Sequence, residues 1–180
     1  MRDPSEGPDA LAAPGTRDRQ RAKVYDAENL VHRIFDRSAD FPVIEVAGSR
    51  LTLPVERHFA TLAAVQAYVD AVLALPTVRQ SWPRAAVPVA VRERRGQHQA
   101  DYQRLTATLA VPLHAGNRAW ALRELVILHE LSHHLASADD EEPHGPEFTE
   151  RLIALAGHVI GEEAGFLLQT TMWDRGVRIG

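Results

Sequence analysis

Five consecutive residues, His129-Glu130-Leu131-Ser132-His133, have the types and spacing that metal-assisted hydrolysis requires. On a helix, residues i and i+4 share one face, so both imidazoles can point at a single tetrahedral metal ion. Glu130 lies about 100° further round, placed to touch a water on the metal rather than the metal itself. Zinc held in this way lowers the pKa of its water to about 7 and polarises a carbonyl, while the adjacent carboxylate serves as general base. The chain's own residue frequencies give roughly 0.03 chance matches to His-Glu-x-x-His. The competing account, two hydrogen-bonded core histidines, would bury two imidazoles and a glutamate in an apolar helix without a ligand to offset the cost.

A catalytic zinc site needs a third protein ligand and one open position. His144 is the candidate: it follows the polar, acidic stretch 137–143 and immediately precedes Gly145-Pro146-Glu147-Phe148, where Pro146 suits the first position of a further helix. The rivals are Glu147 and Glu150 in the first turn of that helix, and Asp140 and Glu142 in the loop. His134, one residue past the pair, faces about 100° away from it and is assigned to a surrounding or surface position. His158, His114, Tyr102 and Arg151 are the candidates for stabilising a transition state.

These residues must be positioned by elements that the apolar pattern outlines. Val24, Tyr25, Leu30, Val31, Ile34 and Phe35 predict an amphipathic helix over 18–37. A short strand over 41–46, a turn at 47–49 and a second extended stretch at 50–53 follow. Pro54 suggests the start of a helix reaching Leu75, with Phe59, Leu62, Ala63, Val65, Val69, Val72 and Leu73 on its buried face. Pro76 and Pro83 bracket an irregular connection. Val87, Val89 and Val91 alternate with smaller or polar residues, and Leu105 to Leu113 alternate on the return, with Pro112 either ending that strand or placing it at an edge. The motif-bearing helix is predicted over 119–136, capped by Asn117. Its apolar residues surround most of the cylinder, which predicts burial.

Composition narrows the chemistry further. The 180 residues include nine histidines and no cysteine, which excludes disulfides, catalytic thiols and thiolate metal sites. A net charge of −4 supplies no general attraction to nucleic acid or an anionic membrane. Arg17 to Lys23, with Arg92, Arg94 and Arg95, leave a local nucleic-acid contact open. No apolar run is long enough to span a bilayer. Residues 1–16, rich in proline and glycine and without a secretory apolar stretch, are expected to form a disordered leader before one domain at 17–180, with the cytoplasm as the default location.

The stretch His129-Glu130-Leu131-Ser132-His133-His134, followed by His144-Gly145-Pro146-Glu147-Phe148, resembles the active region of SprT-like and related minimal zincin metallopeptidases. The chain as a whole is similar to a small actinobacterial family of metallohydrolases with this motif, to which the start Arg17 to Glu28 also conforms. The specific likeness covers about 30 residues. It implies an α+β, zincin-like fold: a small, twisted, mostly antiparallel sheet packed on helices that include the active-site helix. It further implies that residues 105–113 form the edge strand aligning an extended peptide. Many SprT-like proteins carry a cysteine zinc ribbon after the core; these 180 residues contain no cysteine, so no such ribbon is expected here and the DNA-repair role that accompanies it is not implied.

The expected activity is therefore zinc-dependent hydrolysis of a protein or peptide substrate, with Zn²⁺ on His129, His133 and His144 and Glu130 as general base. Two alternatives stand beside it. One is a non-catalytic, zinc-stabilised interaction module, for which a fourth protein ligand such as Glu147 or Glu150 would be the mark. The other is a DNA-associated module using the basic stretches, for which salt-dependent binding would be the mark.

Overall fold

The helix expected over 18–37 forms as α1 (Arg21–Asp36), because Val24, Ala27, Val31 and Phe35 recur every three or four residues and are all buried. Glu28 and His32 lie buried on the same face, so the chain must supply partners for them. The computed structural model describes residues 18–95, 99–113, 122–139 and 141–180; the expected leader at 1–16 lies outside these. After α1 come β1 (Val43–Val46) and β2 (Ser49–Thr52), an antiparallel hairpin. Ala47 and Gly48 form its two-residue turn, both with positive φ (50° and 76°), as a tight hairpin of this twist requires.

No helix starts at Pro54. Residues 56–59 instead run extended beside 122–124: Phe59 N–H donates to the Leu122 carbonyl (2.8 Å), and Glu124 N–H donates to the Arg57 carbonyl (2.9 Å). The helix α2 (Leu62–Ala74) begins only where the Thr61 hydroxyl caps the Ala64 N–H (3.1 Å). Its buried face is accordingly narrower than expected, comprising Val65, Val69, Val72 and Leu73, with Ala63 exposed. The connection between the two prolines is helical too, with α3 (Pro76–Ser81) preceding a 3-10 turn at Pro83–Ala86.

The second sheet departs from the expected strand–strand pairing. It comprises β3 (Ala90–Glu93), β4 (Asp101–Gln103) and β5 (Thr108–Val111), in the order β3-β5-β4. β5 runs parallel to β3 and antiparallel to β4. The segment expected as an edge strand over 105–113 is therefore central. The physical reason is visible in its burial: Leu109, Ala110 and Val111 are inaccessible, so both faces are covered. Leu105 is fully exposed in a 3-10 turn, and Ala107, at φ 45°, breaks the strand pattern before Thr108. The edge beside the motif falls to β4, whose three largely polar residues carry no readable alternation.

The motif lies on α4 (Glu124–His134), shorter than the predicted 119–136; Asn117, its expected cap, is outside the described residues. Ten of its eleven residues are buried, matching the expectation of an enclosed helix. Its N-terminus is capped from a distance. The Glu56 carboxylate accepts the Leu125 N–H (3.1 Å) and Arg123 Nε–H (2.9 Å), and Arg123 is 1% exposed. The buried Glu124 carboxylate similarly accepts the Arg57 N–H (2.9 Å) and Tyr68 hydroxyl (2.7 Å). These bonds fix where the helix starts and hence which way its histidines face. Two further helices, α5 (Pro146–Val159) and α6 (Glu162–Asp174), pack on each other, α5 also against α4 and α6 against α1. At their crossing, a Cβ on Gly165 would lie 3.1 Å from the Gly157 Cα, so glycine permits the close approach. No helix among the described residues is long and apolar enough to cross a membrane.

Candidate metal centre

Mid-helix, His129 and His133 project from one face of α4 as their spacing predicts, with Nε2 atoms 3.3 Å apart. His144, just ahead of α5, brings its Nε2 to 3.3 Å from that of His129. The three ring nitrogens thus converge on one point. Zinc–imidazole bonds of about 2.0–2.1 Å in a tetrahedron imply ligand atoms about 3.3 Å apart. The donor set therefore fits a metal ion in both type and spacing.

The turn that delivers His144 is tight. Gly145 N–H donates to the Glu142 carbonyl (2.9 Å), and a Cβ at Gly145 would stand 2.8 Å from the Glu142 Cβ. Glycine is thus required beside the ligand. Of the rival ligands, Glu147 and Glu150 are exposed, and Glu142 accepts the Arg19 N–H (2.7 Å) and Arg178 (3.3 Å). Asp140 lies outside the described residues.

The imidazoles are held on three sides. Phe148, the buried aromatic of the His-Gly-x-x-Phe segment, stacks on His133 (4.5 Å, 28°) and meets the edges of His129 and His144 at 4.9 Å. Tyr25 covers His129 and His144 from α1, at 5.3 Å each. Two carboxylates accept from the outward nitrogens: Glu28 from His129 Nδ1 (2.8 Å) and Asp18 from His144 Nδ1 (2.7 Å). A carboxylate can only accept, so each imidazole carries its proton on Nδ1 and leaves the Nε2 lone pair toward the centre.

Electrostatics distinguish the ligands. Burial and the neighbouring His129 and His144 hold His133 well below the usual histidine range. His144 is lowered by burial and by His129, with Asp18 opposing. At His129 burial also works against the charge, but Glu28 outweighs it and the net shift is upward. Glu130 is buried and its carboxyl is pushed up, first by desolvation. His129 and a hydrogen bond from the Tyr102 backbone N–H pull it partly back.

A cleft of about 490 Å³ opens onto this cluster, bordered by Tyr25, Tyr102, Glu130, His133, His144 and Arg151. His134 is buried outside it, its Nδ1 2.7 Å from the Tyr102 hydroxyl and its Nε2 3.1 Å from the Arg84 carbonyl. It ties α4 to β4, and burial, reinforced by Arg84, lowers its pKa to about 4. His158 is exposed against the edge of Trp82 (6.2 Å) and borders no part of the cleft. His114 lies outside the described residues. Much of the basic start is engaged within the chain: Lys23 donates to the Gly176 carbonyl (3.1 Å), and the Arg21 guanidinium lies 5.4 Å from the Tyr25 ring centre.

Sequence reasoning missed Asp18, Tyr25 and Glu28. A signal existed for Glu28, since it falls on the apolar stripe of α1 between Val24 and Val31. What the fold and site define is an α+β chain with a three-histidine centre that can bind a metal ion, beside a buried glutamate in a cleft. No protein-family model, curated protein or solved structure matches the chain.

Proposed function

We propose that the chain is a zinc-dependent hydrolase of the zincin-like, SprT-like kind that cleaves peptide bonds. One observation carries this reading: three imidazoles with ligand atoms within 4.8 Å of one another, two of the pairs at the 3.3 Å of a tetrahedral zinc site, with the buried Glu130 beside them on an open cleft. The group of metal-binding side chains among the described residues has three members, as a catalytic rather than a closed structural site would have. A structural site also has no use for Glu130.

Bound there, zinc would supply Lewis-acid polarisation of the scissile carbonyl and acidify a water. The chain's own residues then act as follows. Glu130 takes the proton from the attacking water and passes it to the departing amine, a role that its place on the cleft beside the three histidines allows. Glu28 and Asp18 keep His129 and His144 in one tautomer. β4, the edge strand that borders the cleft, is where an extended peptide would lie.

The test is metal analysis alongside hydrolysis of a mixture of internally quenched peptides. Wild type, Glu147→Ala and Glu150→Ala should each carry about one zinc, and His144→Ala should lose it. Glu130→Gln should keep the metal while hydrolysis falls steeply, by at least about 10²-fold. Full activity in Glu130→Gln would sink the mechanism, and absence of hydrolysis in the zinc-loaded wild type would sink the activity itself.

A further inference from the structure

Resting on the hydrolase reading above, we propose that Tyr25 is the oxyanion-stabilising residue, its hydroxyl donating a hydrogen bond to the substrate carbonyl oxygen as that oxygen gains charge. Attack on a peptide carbonyl leaves a negative charge on oxygen, and a pre-positioned donor aimed at it supplies a large share of the acceleration. Of the described residues among the four that sequence suggested for this task, none lines the cleft without also being tied into the fold's own hydrogen bonds. His158 is exposed away from the cleft, and His114 lies outside the described residues.

Tyr102 borders the cleft, but its single proton is committed. The Arg84 carbonyl can only accept, so His134 Nε2 donates to it (3.1 Å). His134 Nδ1 is then an acceptor, and the Tyr102 hydroxyl must be the donor at 2.7 Å. Arg84 donates to the same phenolic oxygen (3.2 Å). Arg151 spends two of its five N–H groups on the fold: its Nε donates to the Ser132 carbonyl and a terminal nitrogen to Glu141, both at 2.7 Å. Those bonds anchor the end of α4 to the loop that delivers His144, a structural task.

Tyr25 has the complementary properties. Its ring rests on two of the three ligand imidazoles, at 5.3 Å each, and it shares the cleft wall with Glu130. Its hydroxyl is hydrogen-bonded to the Arg21 guanidinium, which can only donate, so that bond leaves the phenolic proton for a substrate. Arg21, with its guanidinium 5.4 Å from the ring centre, adds positive potential at the same wall. Val24 and Ala27, buried on either side of it along α1, anchor the stretch of helix that carries the ring. Tyr25 also borders a second cavity of about 440 Å³, lined by Arg19, Arg21, Ala22 and Gln99. Asp18 lines both cavities as well, so Tyr25 stands on the wall that they share. The phenolic proton stays on Tyr25 throughout: water supplies the hydroxyl group, the amine leaves, and Glu130 carries the transferred proton.

The experiment compares zinc-loaded wild type with Tyr25→Phe, using the quenched peptide mixture and a phosphinic peptide that mimics the tetrahedral intermediate. The variant should keep its zinc and its melting temperature. Its kcat should drop about 10²- to 10³-fold with KM within about threefold, and its affinity for the phosphinic peptide should weaken in parallel. A structural role for the ring would leave the kcat-to-KM split and the phosphinate discrimination unmoved. If wild type hydrolyses peptides and Tyr25→Phe keeps kcat within twofold, the inference about Tyr25 fails and the hydrolase reading stands. A Tyr25→Phe protein that loses its zinc also overturns it, because a hydroxyl acting on substrate has no part in holding metal. Absence of hydrolysis in zinc-loaded wild type overturns both.

Discussion

Replacing Glu28 by glutamine preserves the size of the side chain and removes only its charge, which isolates what a carboxylate behind a metal ligand contributes. In the wild type, Glu28 accepts from His129 Nδ1 at 2.8 Å. That bond holds the imidazole in the tautomer that leaves Nε2 free and makes it a better donor to a cation. An amide can turn either its oxygen or its NH₂ toward Nδ1, so the tautomer is no longer enforced and the charge assistance is gone. Losing such an outer partner weakens metal binding about 10- to 100-fold, equivalent to about 1.4–2.7 kcal/mol.

The structure places Glu28→Gln at the upper end of that range and Asp18→Asn at the lower. The Glu28 side chain is 6% exposed and that of Asp18 is 22%, so water screens Asp18 more. Competition for zinc against a chromogenic chelator at neutral pH measures both, with zinc-free proteins melted in parallel so that any fold defect is seen separately. The expected order of affinity is wild type, then Asp18→Asn, then Glu28→Gln. Glu28→Gln binding zinc within twofold of wild type, or Asp18→Asn proving the more damaging, would refute the assignment of Glu28 as the dominant support.

Glu56→Ala removes the remote cap from α4 and leaves the Arg123 guanidinium, 1% exposed, with the half-exposed Asp36 carboxylate at 3.1 Å as its remaining counter-charge. Urea unfolding should show a loss of about 3 kcal/mol, the low end for breaking a buried pair because Asp36 remains, and part of it should be recovered when Arg123→Met is added. His32 is held neutral, its pKa lowered to about 3 by burial and then by Arg123. The unfolded chain takes up a proton below about 6.5 and the folded chain does not, so stability is full above that pH and drains as pH falls toward 3, at about 1.4 kcal/mol per unit. For metal-free protein, unfolding at pH 7 and pH 5 should differ by about 2 kcal/mol more in wild type than in His32→Gln; identical pH dependence in the two would exclude the effect.

The local parts of the site were legible because one short segment had to satisfy one geometric demand. Two imidazoles on a common ion need i and i+4 on a helix, and His129 and His133 meet that demand without help from distant chain. His144 was readable for a related reason: Pro146 marks where α5 must start, and that fixes the end of the loop that returns to the metal. The sheet was not legible in the same way. Alternation identified apolar residues in 105–113 but carries no information on which neighbour a strand pairs with, and burial on both faces at Leu109, Ala110 and Val111 reads in sequence as a slightly stronger version of the same pattern. The false helix start at Pro54 has a similar origin. Proline is permitted there by local geometry, whereas the extended course of 56–59 is imposed by hydrogen bonds to 122–124, more than sixty residues away.

The contribution of α1 lies between these cases. Its periodicity announced a buried stripe, and the stripe contained a glutamate and a histidine that no apolar core tolerates without partners. Local pattern and global burial conflict at Glu28, and such conflicts gather where a fold serves chemistry rather than stability. The partner of Glu28 proved to be His129, 101 residues onward. The same helix sets Tyr25 on two ligand rings, and Asp18, just before it, reaches His144. A charged residue inside a hydrophobic stripe was therefore a pointer to the three-histidine cluster, where its carboxylate meets His129 of α4. Read together, the two oddities locate α1 against the site; read separately, each looks like an ordinary helix.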